Sequence, residues 1–151
     1  MKLEDQYCTV PQAINLWELG VGLNSQSSWC WNGSKKTPAG EKDFFINPDG
    51  FLHEWPEAYC AYSVAELGLA LPSQLPATKL FKGLILQCMK PWEESESFLT
   101  GYIELNEDLD TGGWVHTKDG PTEAQSRADM LIYLLESNLI TAEEVNNLLT
   151  Q

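Results

Sequence analysis

The sequence predicts an α+β fold: one small antiparallel sheet of four to five strands, with about four helices packed mainly on one side. Four stretches carry the signals that start a helix, and the segments between them are short and aromatic or alternate in polarity. In chain order the elements are a helix, two strands, a helix, two or three strands and two helices. A length of 151 residues fits a single domain, residues 1–151, and no repeat or low-complexity segment divides it.

The helix starts match the capping box, in which a Ser or Thr hydroxyl accepts from an amide three residues on and a Glu or Gln there reaches back. The pairs are Thr9 with Gln12, Ser63 with Glu66, Thr122 with Gln125, and Thr141 with Glu144. Each pair precedes apolar residues at helical spacing, which strengthens the prediction.

The predicted helices run from about Val10 to Leu19, from Val64 to about Ala70, from Thr122 onward, and from Ala142 to Leu149. In the first helix, Trp17 is expected on the same face as Val10, Ala13 and Ile14. The third helix carries an apolar stripe that must face a core, formed by Ala124, Ala128, Leu131, Ile132 and Leu135. The short linker "SNLI" predicts that the third and fourth helices form a compact pair.

The predicted strands lie between these helices. "SSWCW" and "DFFIN" are short and aromatic, and the polar segment "NGSKKTPAGEK" separates them. "LFKGLILQCM" and "SFLTGYIELN" flank "KPWEESE", which predicts a hairpin with a loop too long for a tight turn. "GWVHT", after the turn-like "DLDTGG", predicts one more strand.

The charge of the chain narrows the function. Its 22 acidic and 9 basic residues give a net charge of −13, which repels phosphate backbones and argues against direct nucleic-acid binding. The same charge favours encounter with a basic partner surface. No apolar run approaches the roughly 20 residues that span a bilayer, and Glu4 and Asp5 stand where a signal peptide needs an apolar stretch. We therefore expect a cytoplasmic protein without membrane contact.

The cysteines predict no metal site. Cys8, Cys30, Cys60 and Cys88 lie far apart, without the CxxC or His-rich spacing of a zinc site. In a reducing cytoplasm they are expected to be free thiols, packed mostly as small apolar groups. No cofactor is predicted either.

The segment "SSWCWNGSKK" is the first candidate for ligand binding. If it is extended, Trp29 and Trp31 project to one face, where a pair of indoles can stack on a flat ring. Lys35, Lys36 and Lys42 would then supply charge for a phosphate group. The alternative is structural: tryptophans that pack against a helix, and lysines that sit in water.

A second candidate is "NPDGFLHEWPEAY", which begins with a strong turn signal. His53 and Trp55 join the candidate ligand-binding residues, because a titratable group there lies beside Glu54, Glu57 and a ring. Nothing pairs His53 with a nucleophile or a G-x-S-x-G elbow, so no catalytic residue and no enzyme is predicted.

The remaining polar motifs favour ordinary roles. His116 is expected to share a strand face with Trp114, and no phosphate loop, Rossmann glycine pattern or HExxH occurs. The acidic run "ELNEDLD" lacks the pattern of an EF-hand and is expected to be a solvated loop. Together with Glu93, Glu94 and Glu96 it would form a negative patch that imitates a phosphate backbone.

Three segments carry a resemblance: "CTVPQAINLWELG", "YSVAELGLALP" and "SRADMLIYLLESNLI". As an ordered set covering most of the chain, they resemble small uncharacterised accessory proteins of phages and prophages of gut anaerobic bacteria. The chain departs from that pattern at Ser126, Arg127 and Asp129, where Ala and Lys are more usual. The resemblance implies a phage accessory protein in the bacterial cytoplasm, and it assigns no catalytic residue, because the function of the group is not established.

Two functions follow as expectations. The leading one is a non-catalytic, oligomeric binding protein that counters bacterial defence by sequestering a nucleotide-derived small-molecule signal. The alternative is an acidic inhibitor or DNA mimic that binds a host protein. A small hydrolase has the least support in the sequence.

Overall fold

The computed structural model describes residues 2–22, 25–49, 55–76, 84–90, 96–105 and 111–150. Its helical elements are a 3-10 turn (Leu3–Gln6), α1 (Val10–Glu18), α2 (Val64–Ala70), α3 (Glu123–Glu136) and α4 (Ala142–Leu149). These bounds confirm the predicted helices, with α1 ending just before Leu19. Within the described ranges, no helix has the length and apolar character needed to cross a membrane.

Three of the four predicted capping boxes are formed in full, and the fourth is formed only in part. At α1, α2 and α4 both halves of the capping box are formed. At α3 the Thr122 hydroxyl accepts from the Gln125 amide at 3.2 Å. The Gln125 carbonyl accepts at 3.0 Å from the side chain of Gln12, which also accepts from the Thr9 amide at 2.9 Å. Gln12 therefore caps α1 and ties it to α3.

Seven strands lie in the described residues: β1 (Ser28–Trp31), β2 (Phe45–Asn47), β3 (Glu57–Cys60), β4 (Gln74–Leu75), β5 (Leu84–Met89), β6 (Phe98–Leu105) and β7 (Thr111–Gly120). They pair antiparallel in two sheets, with the orders β2–β1–β3 and β4–β5–β6–β7. The α+β class is confirmed, but the strands form two sheets where the sequence predicts one.

The strand β3 explains much of this difference. Its sequence "EAYC" contains Glu and Ala, which are poor strand formers, so local propensity does not predict it. Pairing with β1 nevertheless places Trp29 opposite Tyr59 and Trp31 opposite Glu57. β1 thereby becomes the central strand of a separate three-stranded sheet.

α3 is the central helix of the core. All members of the predicted apolar stripe are buried, and so are Ser126, Met130 and Leu134 on its other sides. A helix that is apolar around most of its circumference is buried on several sides, and α3 packs against α1, α2, β6 and β7. α1 packs on both α3 and β3, so it connects the three-stranded sheet to this core.

The four cysteines are free, as predicted, and Cys8, Cys30 and Cys60 are buried. Burial raises the pKa of the Cys8 thiol to about 12 and also raises the pKa of Cys60. A protonated, buried thiol is a poor nucleophile and metal ligand. These side chains therefore act as small apolar groups.

Candidate aromatic binding surface

A tight turn after β1 positions the Trp31 indole. The Asn32 side chain accepts from the backbone amides of Ser34 at 3.0 Å and Lys35 at 2.8 Å. Gly33 has a φ of +87°, which glycine adopts without strain. The chain therefore folds back, and the Lys35 carbonyl accepts from the Trp31 Nε1–H at 2.6 Å.

The lysines of this hairpin are paired with carboxylates. Lys35 forms an ion pair with Asp43 at 2.8 Å, and Lys42 forms one with Glu57. The Lys42 ammonium also lies 5.0 Å above the centroid of the Trp31 ring. The structure thus brings Trp31, Lys35 and Lys42 together, with most of their positive charge already balanced. Lys36 is exposed in the turn, on a backbone bridge with Lys42.

Trp29 has a different role from Trp31. It is only 8% exposed, and its Nε1–H donates to the Cys8 carbonyl at 2.8 Å inside the core. Its ring faces are therefore not open to a ligand, and the structural alternative raised by the sequence describes this residue. The expected pair of stacking indoles is reduced to Trp31.

Trp55 does not join Trp31. Trp55 packs edge-on against Phe45, with ring centroids 4.9 Å apart. Phe45 is the cross-strand partner of Cys30 and lies on the opposite face of β1 from Trp31. His53 and Glu54 lie outside the described residues, as do Glu93, Glu94 and the end of the acidic run, residues 106–110.

A cluster of rings covers the outer part of the three-stranded sheet. Trp17 of α1 meets Tyr59 of β3 edge-on, with centroids 6.1 Å apart and an interplanar angle of 72°. Phe44 lies on another side of Tyr59, also with a centroid separation of 6.1 Å. We call Trp17, Trp31, Phe44 and Tyr59 the aromatic surface.

The predicted position of Trp17 is wrong. It is expected on the buried face of α1, yet it is 54% exposed, and the helix buries Ala13 and Leu16. The spacing of Ala13 and Leu16 is also helical, so the sequence alone does not fix the rotation of this short helix. Tyr59 is not among the predicted site residues, because the sequence does not predict the strand β3.

The polar groups at this surface form a fixed network. Glu57 accepts from the Tyr59 hydroxyl at 3.0 Å while it pairs with Lys42. The Lys42 ammonium, assisted by that hydroxyl, lowers the pKa of Glu57, so the carboxylate stays ionised. Burial, assisted by Glu57, raises the pKa of Tyr59, so its hydroxyl remains a donor. The arrangement presents rings and fixed charges, a chemistry suited to holding a partner.

His116 is also placed differently from the prediction. Its Nδ1 lies 2.9 Å from the hydroxyl of Tyr133 on α3, and the Lys118 ammonium lies over the Tyr133 ring. Trp114 lies on the other face of β7. A register shift between His116 and Trp114 separates their faces. A Cβ at Gly101 would come within 2.7 Å of the Trp114 ring, which therefore needs glycine beneath it. Burial lowers the pKa of His116, so the ring is neutral near pH 7.

Three cavities lie away from the aromatic surface, with volumes of about 630, 390 and 370 Å³. The first is lined by the starts of α2 and α3, the second by α4 and β4, and the third by α1, α3 and Lys118. Neither Trp29 nor Trp31 lines any of the three. The predicted pocket around the tryptophans therefore has no counterpart in these cavities.

Arg127, the only arginine of the chain, lines the first cavity. Its guanidinium bonds to Glu123 at 2.5 Å and donates to the Val64 carbonyl of α2 at 3.5 Å. A side chain at Gly68 would collide with it. These contacts assign Arg127 a structural task, which is to hold α2 against α3.

Comparisons with protein-family models, with curated proteins and with solved structures find no match for this chain. Among the described residues, no group of three or more His, Cys, Asp and Glu side chains could hold a metal ion.

Proposed function

We propose that this is a non-catalytic binding protein and that its aromatic surface contacts a partner protein. One observation carries the proposal: Trp17 is 54% exposed at the edge of a ring cluster. Large aromatic side chains dominate the energetics of protein interfaces, and the exposed Trp17 indole adjoins rings that are only half-buried.

The charges favour a basic partner. A net charge of −13 attracts a positive surface and accelerates the encounter with it. The hairpin lysines Lys35 and Lys42 are engaged by Asp43 and Glu57, which weakens their attraction for a ligand phosphate. In the setting implied by the phage resemblance, the partner is a host protein that this chain blocks.

The test is capture from a lysate of a gut anaerobe, followed by calorimetry on the purified captured protein. Trp17→Ala is expected to weaken binding by at least about tenfold, the loss typical of an interface hot spot. Leu69→Ala is the matched control, because Leu69 is 64% exposed on α2, outside the aromatic surface. Equal affinities of the wild type and Trp17→Ala would overturn the proposal.

A second candidate is the sequestration of a flat-ring, nucleotide-type ligand at Trp31. The observation in its favour is that the Trp31 ring is half-buried, with Lys42 above it and Lys36 in the adjoining turn. Calorimetry with nucleotides and cyclic dinucleotides tests it. Binding that Trp31→Ala removes and Trp17→Ala leaves intact would support this candidate, and no heat from any compound would dismiss it.

A further inference from the structure

Building on the proposed function, we propose that the partner protein seats an arginine or lysine side chain on the Trp17 indole, beside Glu18 at the C-terminal end of α1. The edge-on contact with Tyr59 fixes the indole and leaves 54% of Trp17 accessible. A cation above an indole face is attracted by the negative charge of the π system.

The end of α1 carries negative charge that no described cation balances. Glu18 is the last residue of the helix, and the last turn contains no basic residue. The dipole of an α-helix adds the equivalent of up to about half a negative charge at its C-terminus. Glu18 also adds to the effects of burial and Glu57 that raise the pKa of Tyr59, so its field reaches the aromatic surface.

The same surface already contains an indole with a bound cation. Lys42 lies 5.0 Å above the Trp31 ring and pairs with Glu57. Trp31, Lys42 and Glu57 therefore form a set of ring, cation and carboxylate. Trp17 and Glu18 supply a ring and a carboxylate, and within the described residues neither has a cation. The chemistry missing from the second set is an ammonium or guanidinium group.

The geometry favours a protein segment over a free amine. The half-buried rings of Tyr59 and, next to it, Phe44 continue the apolar surface from Trp17. Residues that flank an arginine in a polypeptide would cover these rings, and their burial would add to the affinity. The net charge of −13 would in turn draw a basic segment toward this surface.

The experiment follows the six indole N–H resonances of ¹⁵N-labelled protein by NMR. The probes are a nine-residue Gly/Ser peptide with two central arginines, the same peptide with lysine or with uncharged citrulline, and ethylguanidinium as a free cation. We expect the arginine and lysine peptides to shift the Trp17 resonance most. In calorimetry with the arginine peptide, Trp17→Leu, which keeps an apolar side chain, should weaken binding about three- to fivefold, whereas Trp17→Phe should retain most of it.

A second experiment tests the role of the Glu18 carboxylate. Glu18→Gln should weaken binding of the arginine peptide and reduce its dependence on salt. Glu4→Gln, in the 3-10 turn, is the control for losing one negative charge.

Each remaining outcome counts against the inference. Equal binding of the citrulline peptide, or a largest shift at Trp31 or Trp114, would refute a cation at Trp17. Ethylguanidinium binding as tightly as the arginine peptide would refute a polypeptide source. If Trp17→Ala still fails to bind the captured partner in any of these cases, the proposed function stands and only the inference of a cation at Trp17 is refuted. If Trp17→Ala binds the captured partner as tightly as the wild type does, the proposed function itself is refuted.

Discussion

A buried polar pair at the four-stranded sheet contrasts with an exposed indole beside the three-stranded sheet. In the four-stranded sheet, Thr100 and Tyr102 of β6 are fully buried, and the Thr100 hydroxyl lies 2.8 Å from that of Ser126 on α3. In the three-stranded sheet, Tyr59 is only half-buried and Trp17 beside it is exposed. Buried polar groups with partners stabilise the fold, whereas an exposed aromatic side chain is available for contact. The comparison therefore sets a region whose side chains stabilise the fold against the region proposed to bind a partner.

The largest expected effect lies in the helix that supports the four-stranded sheet. Leu131 of α3 is 1% exposed, and Leu131→Ala should lower the free energy of unfolding by about 2–5 kcal/mol, since it leaves a cavity in a packed core. Urea denaturation measures this as a lower midpoint with an unchanged slope. Leu69→Ala, on an exposed side chain, should change the midpoint little. Similar losses for both variants would remove the contrast between core and surface.

The next effect tests whether the buried polar pair is structural. Thr100→Val keeps the shape of the side chain but removes the partner of the Cys88 sulfur and one of the two partners of the Ser126 hydroxyl, which also donates to the Glu123 carbonyl. We expect a loss of about 1–3 kcal/mol in the free energy of unfolding. The double variant Thr100→Val/Ser126→Ala should cost less than the sum of the two single changes, because the two hydroxyls satisfy each other. Strict additivity in denaturation experiments would show that the pair is not coupled.

The helices were predictable because their signals are local. Thr141 and Glu144 lie three residues apart and make their bonds to each other, so a capping box can be read without knowing the rest of the fold. The apolar stripe of α3 likewise repeats within one helix. Such features depend on neighbours in sequence, and they were confirmed.

The candidate site was less predictable because it depends on pairing between distant segments. Tyr59 reaches the surface only because "EAYC" pairs with β1, which its own residues do not favour. Trp29 and Trp31 have the same residue type and share a strand face, yet one donates to Cys8 in the core and the other to a turn. The rotation of α1 about its axis determines that Leu16 is buried and Trp17 is exposed. No local pattern contains that information.

A smaller effect is expected at the boundary of the aromatic surface. The pKa of Glu57 is lowered in the folded state, so its stabilising contribution is present above the ordinary carboxyl pKa and is lost as pH falls through the lowered value. Because the ion pair with Lys42 is partly exposed, Glu57→Gln should cost less than about 1 kcal/mol at pH 7. Denaturation at a series of pH values should show the wild type and the variant converging in acid. Glu41→Gln, in the same hairpin, controls for the loss of charge, and a difference that persists at low pH would contradict the assignment.

The smallest effect on stability is expected at Trp17, the residue proposed to contact the partner. Trp17→Ala removes an indole that is 54% exposed, so we expect the free energy of unfolding to change by no more than about 0.5 kcal/mol. The edge-on contact with Tyr59 is the main interaction lost, and solvent already reaches both rings. Denaturation of Trp17→Ala beside Leu131→Ala makes the comparison in one experiment. A loss near that of Leu131→Ala would mean that Trp17 supports the packing of α1 on β3, and the exposed rings would then belong to the fold. Unchanged stability together with lost binding would indicate that the indole is exposed for recognition of a partner.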